Sequence, residues 1–242
     1  MRSASLHLIA LWMILAMPAP APADTYLIQS GEDSAPYAFL PDLARGFRNS
    51  AYAFTNTLGG SDHSFEYYIR YDLPPELTQP GTVVQYAYAW LYYGFDYTLF
   101  GDTTAEVGEV QCHETLAPWS QATLTWNNRP PIGPVIDGWE DITALGLYFC
   151  DITALVQQWV DGAPNHGIAV TSDELRVIGF WTFEDGTVSP NFKPSLLVET
   201  LPEPTMTAGL LCGGAAVLAL RRVRARRESK SARKSQMKTR SS

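Results

Sequence analysis

The chain has 242 residues, 46% of them hydrophobic and 12% aromatic, which is enough apolar material for a sizeable core. Its formal net charge of −8 hides an asymmetry: residues 24–201 carry six Lys/Arg against 23 Asp/Glu, a net of −17, while ten of the 17 Lys/Arg lie between Arg221 and Arg240. A body this acidic argues against a role in binding nucleic acid or an anionic membrane surface.

At the N-terminus, Arg2, the apolar stretch Leu8 to Met17 and the small-residue site Ala21-Pro22-Ala23 predict a secretory signal peptide over residues 1–23. The apolar stretch is too short for a comfortable permanent span. The body, residues 24–201, has the size of one domain. It reads as many short strands with little helix. Thr25 to Gln29 is a first strand. Phe65, Tyr67, Ile69, Tyr71 and Leu73 alternate with Glu66, Tyr68, Arg70 and Asp72, the period of two of a half-buried strand, which Pro74-Pro75 ends.

Thr82 to Asp96 is the longest strand candidate. One face carries Tyr86, Tyr88, Trp90 and Tyr92, and the other Val83, Gln85, Ala87, Ala89, Leu91 and Tyr93. Alternation alone leaves open which face is the core. An aromatic row turned to solvent can stack on the apolar C–H faces of sugar rings. Further strands are expected at Glu106 to Cys112, Ala122 to Trp126, Leu147 to Ile152, Gly167 to Thr171, Val177 to Phe183 and Ser195 to Thr200, separated by turn residues at sandwich-like spacing. One short helix is expected where Leu155, Val156, Trp159 and Val160 repeat at helical spacing, with Thr153 as its cap and Gly162 as its stop.

Two body cysteines, Cys112 and Cys150, form one disulfide if export brings them to an oxidising compartment and the fold brings them together. The body histidines, His63, His113 and His166, form no metal-ligand spacing. There is no G-x-S-x-G elbow and no CxxC pair, so no catalytic motif is found and the body is read as non-enzymatic. Asp33, Asp42, Asp62, Asp96 and Asp102 offer oxygen ligands for a structural Ca²⁺, without an EF-hand loop to organise them. Asn127 and Arg129 lie in a turn and can hydrogen-bond sugar hydroxyls.

Two stretches carry a family likeness. They are Trp119-Ser120-Gln121-Ala122-Thr123-Leu124-Thr125-Trp126-Asn127-Asn128-Arg129-Pro130, and Asp151-Ile152-Thr153-Ala154-Leu155-Val156-Gln157-Gln158-Trp159 followed by Asn165-His166-Gly167-Ile168. Together with Ile69-Arg70-Tyr71-Asp72-Leu73 and the closing Pro194 to Glu199, they resemble the bacterial extracellular DNRLRE domain, which overlaps a carbohydrate-binding module family with alginate-binding members. Residues 31–64 depart from that pattern, and Gln121 stands where the family often has an acid. The resemblance implies an all-β, jelly-roll-like β-sandwich with Ala87, Ala89 and Leu91 facing the core and the aromatic row facing outward.

The tail has its own likeness. Pro202, Glu203 and Pro204 precede the apolar run Thr205 to Leu220, and Arg221, Arg222, Arg224, Arg226 and Arg227 follow it. This resembles the PEP-CTERM sorting signal of Gram-negative bacteria over residues 202–227, with an additional polar, basic extension at 228–242. The resemblance implies an exosortase-like processing enzyme as partner and delivery to the cell envelope, surface or extracellular matrix. The 16-residue run rises about 24 Å as a helix against about 30 Å of hydrocarbon, which suits a transient membrane segment. The expectation is therefore an exported surface or matrix protein that binds, or is embedded in, exopolysaccharide. The alternatives are a self-assembling or protein-binding structural module, and a polysaccharide-degrading enzyme.

Overall fold

The structure is a computed structural model that describes residues 23–48, 50–55, 57–58, 60–97, 109–140, 142, 144–172, 177–187 and 189–202. The expected signal peptide and the tail from Glu203 onward, Arg221 and Arg222 included, lie outside the described residues, as does Asp102. Ala23–Leu201 forms one compact unit.

This unit is mostly β-sheet. Its strands are β1 (Thr25–Ser34), β2 (Ser50–Ala53), β3 (Thr57–Leu58), β4 (Ser61–Asp62), β5 (Tyr67–Tyr71), β6 (Val84–Tyr97), β7 (Val110–Thr115), β8 (Ile132–Trp139), β9 (Gly146–Asp151), β10 (Ile168–Ser172), β11 (Val177–Trp181) and β12 (Ser195–Thr200). Among the described residues, one α-helix, α1 (Thr153–Val160), and a 3-10 turn at Pro190–Phe192 complete it. The main strands follow the order β2-β11-β6-β12-β1-β5-β10-β7-β8, with β9 on the other side of β6. All these pairings are antiparallel.

The order describes two layers joined by one strand. Thr25 to Gln29 of β1 pairs with β12, and Ser30 to Ser34 pairs with β5, with a register shift between Ser30 and Glu32. Gly31 sits at that shift, where a Cβ would run into the Asp72 side chain. A bulge bends the strand and increases its twist, which lets one strand serve both sheets. The inner faces meet in one core. Tyr67 of β5 stacks 5.8 Å from Phe180 of β11, and Ile69, Val110, Cys112, Val170, Ala87, Ala89, Leu91, Cys150, Ile178, Leu196 and Val198 are all fully buried there. The result is a β-sandwich.

Helix α1 is two turns long, too short to be stable in isolation. It is held because Leu155, Val156, Trp159 and Val160 are all buried in the sandwich core. Gly162, at φ +99°, stops it, and its N–H reaches the Trp159 carbonyl at 3.1 Å. Thr153 does not cap it: the capping position is Ile152, with no side-chain cap. The Thr153 hydroxyl accepts from the Ala87 N–H at 2.8 Å and donates to Asp151 Oδ1, so it ties the helix to β6 instead. Among the described residues no helix is long and apolar enough to cross a membrane.

Ala122 to Trp126 is not a strand. It is a run of turns, with Thr123 and Leu124 both donating to the Ser120 carbonyl and the Asn128 side chain accepting from the Thr125 N–H. These short-range bonds satisfy the backbone locally and remove it from any ladder. β2 and β8 were hidden for the opposite reason. β8 contains Gly133, Pro134 and Gly138, which read as punctuation, yet it is an edge strand, where proline is tolerated.

Candidate functional site

β6 is the centre of the first sheet and sets the site. Val84, Ala87, Ala89, Leu91 and Tyr93 turn into the core and are buried, while Tyr86, Tyr88, Trp90 and Tyr92 lie half-buried on the outer face. Small alanines inward and large rings outward fit the strand to a tightly packed interior on one side only.

The register across the neighbours extends the row into a surface. On one flank Tyr92, Trp90 and Tyr88 stand opposite Leu147, Phe149 and Asp151 of β9. On the other, Trp90, Tyr88 and Tyr86 stand opposite Ser195, Leu197 and Glu199 of β12, beyond which lie Gln29, Leu27 and Thr25 of β1. Leu147, Phe149 and Leu27 are 44%, 53% and 60% exposed, far more than a packed face would leave them. The rings brace one another. Tyr86 and Tyr88 have centroids 5.6 Å apart, Phe149 meets Tyr88 edge-on at 5.4 Å, and Phe192 lies 4.3 Å from Tyr92. The Tyr86 hydroxyl donates to Glu199, and that hydrogen bond is the main reason its pKa is raised.

Alternation along the sequence does not single out Leu147, Phe149 or Leu27. Their own strands have apolar residues on both faces, and only cross-strand register places them beside the aromatic row. Trp181 is a similar case: its ring lies over Gly94 of β6, where any Cβ would collide with the indole.

Asn127 and Arg129 are not part of this surface. They belong to residues 116–131, which cover the outer face of the other sheet. Arg129 Nε pairs with Glu66 at 3.1 Å, its guanidinium sits 3.7 Å from the centroid of the Trp126 ring, and it donates to the Trp126 carbonyl. Asn127 donates to Asp42 at 2.8 Å. Trp119, Leu124, Tyr68 and Ala169 form a small separate cluster under the same loop.

The motif residues of that region act as joints. The Trp119 indole N–H donates to the His166 carbonyl at 2.8 Å. The Asn165 side chain donates to the Tyr71 carbonyl at 2.7 Å and accepts from the Gly167 N–H at 3.0 Å. Gly167 itself has φ +82° and lies against the Ile69 carbonyl. The Trp and Asn-x-Gly elements are thereby accounted for as links between β5, β10 and the covering loop.

The family description "carbohydrate-binding module family 96" matches residues 20–200. The chain belongs to carbohydrate-binding module family 96. No curated protein matches it. The match takes in every strand of this family 96 module, so both the aromatic face and the Trp/Asn-x-Gly joints lie within it.

Titratable groups elsewhere in the family 96 module are used structurally. His113 bridges Gly133 O and Thr171 Oγ1 at 2.9 and 3.0 Å, and His63 Nδ1 lies 2.6 Å from the Tyr37 hydroxyl. Asp33 is buried. It accepts from Phe183 N at 2.8 Å and from the Tyr67 hydroxyl at 3.1 Å, and burial, then the charge of Glu184, pushes its pKa well above the usual carboxylate range. Asp62 accepts from Ser64, and Asp42 from Asn127. Among the described residues no group of three or more His, Cys, Asp or Glu side chains is placed to hold a metal ion. Cys112 and Cys150, on opposite sheets, are both buried thiols. Burial, then a hydrogen bond with Cys112, raises the Cys150 pKa well above its ordinary value.

Proposed function

We propose that this module binds a polysaccharide on the outer face of β9, β6, β12 and β1, with Tyr86, Tyr88, Trp90 and Tyr92 as the stacking row. The observation that carries the reading is the coincidence of family 96 membership with an aromatic sheet face that the described residues of the compact unit leave half-exposed. Sugar rings present apolar C–H faces to such rings and hydroxyls to their polar neighbours. A flat sheet surface suits an extended chain better than a single sugar.

The wider setting follows from the likenesses in the sequence. The fold is read as a jelly roll of the DNRLRE type. The N-terminal signal and the PEP-CTERM-like tail make it an exported protein of the cell surface or extracellular matrix, processed by an exosortase-like enzyme and held near exopolysaccharide. No catalytic role is proposed.

The test is affinity electrophoresis or a glycan array with the full chain in mild detergent. Replacing Trp90 and Tyr88 by Val removes the rings and keeps β-propensity. Retardation is expected to fall at least about tenfold in apparent affinity, the cost of losing roughly 1.4 kcal/mol of stacking. Arg129→Ala, on the other sheet, is expected to leave it unchanged. Equal loss in the two variants would sink the assignment to this face.

A second reading is favoured by one feature. Phe39, Leu40, Leu43 and Phe47 are all exposed in the segment before β2. That is the kind of surface a protein-binding module would present, and sedimentation at rising concentration tests it: a strict monomer argues against self-assembly.

A further inference from the structure

Resting on the polysaccharide-binding reading, we infer that one polysaccharide chain lies lengthwise along β6, over Tyr86, Tyr88, Trp90 and Tyr92 and on to Trp181 of β11, and that the face takes isolated chains instead of the flat surface of a crystalline polymer. The register of the strands decides the direction. Along β6 every second residue from Tyr86 to Tyr92 puts a ring on the outer face. Across the strands the rings soon give way to other side chains. The line through Trp90 runs Phe149, Trp90, Ser195, Gln29, and the line through Tyr88 runs Asp151, Tyr88, Leu197, Leu27. A chain laid lengthwise stacks on four rings or more, whereas a chain laid across meets one or two. Each stacked ring is worth about two- to tenfold in affinity, so the two or more additional rings favour the lengthwise placement by roughly tenfold.

Trp181 continues the row. Gly94 is the next outward position of β6 after Tyr92, and the pyrrole edge of the Trp181 indole occupies the place where its Cβ would be. Phe180 is buried and Trp181 half-buried, so alternation along β11 turns the indole to the same outer face. The pairing of β11 with β6 shifts register at that point, between Gly179 and Phe180. A glycine and a bulge thus hand the row from one strand to its neighbour, and the track from Tyr86 to Gly94 covers about 27 Å of strand. Its rings are not coplanar. The Tyr86 and Tyr88 planes are inclined at 34°, and those of Tyr88 and Phe149 at 73°. A second register shift lies at the other end of the row, opposite Glu199 and Thr200, and such irregularities increase strand twist. A crystalline surface holds its sugar rings in one plane and touches few of these side chains at once. A free chain rotates about its glycosidic bonds and follows the row.

The experiment is affinity electrophoresis of the full chain in mild detergent, with alginate, xyloglucan or mixed-linkage β-glucan in the gel. Trp90→Val/Tyr88→Val runs beside the wild type, because the basic tail can bind polyanions by itself and only variant-sensitive retardation reports on the face. Tyr86→Val and Trp181→Val each remove one end of the track, Tyr86→Phe keeps the ring, and Leu27→Thr alters a transverse line at a side chain that is well exposed. Size-fractionated oligosaccharides of the polymer that retards most, from disaccharide to decasaccharide, then compete with it. Sedimentation with microcrystalline cellulose and α-chitin tests the flat surfaces. Each variant is compared only with an unchanged far-ultraviolet spectrum; if Trp181→Val unfolds, Tyr92→Val replaces it as the end variant.

The expected result is a loss of about two- to tenfold in each end variant, with Tyr86→Phe and Leu27→Thr at the wild-type value. Competition should strengthen with oligosaccharide length and then level off, and it should level off at a shorter length in Trp181→Val than in the wild type. A tryptophan that only supports the fold would weaken every length by the same factor, and that outcome removes Trp181 from the track. End variants that match the wild type, or a Leu27→Thr loss as large as theirs, overturn the lengthwise assignment and leave binding on this face standing. Variant-sensitive sedimentation with cellulose or chitin overturns the restriction to isolated chains. No variant-sensitive retardation in any gel overturns the binding reading itself, and the track with it.

Discussion

Asp33→Asn tests the interior of the sandwich through its pH dependence. Asp33 is 1% exposed and sits among Tyr67, Phe183 N and Glu184. Burial is the largest cause of its raised pKa, and the neighbouring Glu184 charge is the next. The folded protein therefore keeps a proton that the unfolded chain releases once the pH passes the ordinary value of 3.8. Stability falls as pH rises from there to the raised pKa, then levels off. One extra bound proton gives a slope of about 1.4 kcal/mol per pH unit. Asparagine imitates the protonated acid: its amide donates toward Glu184, and its oxygen accepts from Phe183 N. The variant should lack this slope, so its stability relative to wild type should grow by about 1.4 kcal/mol for each pH unit above about pH 4.5, until the wild-type carboxyl ionises in place. Urea titrations followed by tryptophan fluorescence at several pH values between about 4.5 and 7.5 measure it. Parallel stability curves for the two proteins would refute the reasoning, since they would mean Asp33 is ionised in the fold at every pH.

Other outcomes follow from features already described. Gly167→Ala forces a side chain onto a residue at φ +82° and against the Ile69 carbonyl, and should lower the urea midpoint by the equivalent of about 2–4 kcal/mol; a wild-type midpoint would show that the joint relaxes freely. Export to an oxidising compartment should join Cys112 to Cys150 across the core. Closing a loop of about 40 residues would then contribute about 4 kcal/mol, so reductant should lower the melting temperature, and thiol titration in denaturant should find neither Cys112 nor Cys150 reactive before reduction. Reaction of Cys112 and Cys150 without prior reduction would show that they stay as thiols.

The parts of the fold that were legible in the sequence are the strands that read as alternating or short apolar runs bounded by turn residues. β5 and β6 announce themselves by alternation, and β9, β10, β11 and β12 as short apolar segments between turn residues. The long β6 row also exposes the limit of that signal. Both faces of Thr82 to Asp96 are apolar, so periodicity locates the strand and leaves the choice of core face to packing. The alanines inside decide it, because the interior above β6 is occupied by side chains from β5, β7 and α1. The turns at Ala122 to Trp126 misled for a different reason: Thr, Leu and Trp have strand propensity, but Ser120 and Asn128 capture the backbone first. The flanking residues of the candidate site, Phe149, Leu147 and Leu27, could not be read along the chain at all. Leu147 and Phe149 become neighbours of the row only through pairing with Tyr92 and Trp90, 55 and 59 positions away, and Leu27 only through Leu197 of β12, which pairs with both Leu27 and Tyr88 across 170 and 109 positions.

The strand β12 lies between β6 and β1, and the body begins and ends side by side: Thr25 pairs with Glu199, and the Thr200 N–H donates to the Asp24 carbonyl at 3.0 Å. This has a mechanical consequence. A pull transmitted along the chain beyond Leu201 enters the module at β12, and the β6 backbone that carries Tyr86, Tyr88 and Trp90 is paired with that same strand from Val84 to Trp90. Tension between a polymer lying on the face and an attachment at the C-terminal end would cross one ladder in shear, all its hydrogen bonds sharing the load, without passing through the core or the second sheet. The module would then behave as a short, stiff link that transmits force along one seam while the rest of the sandwich stays unloaded.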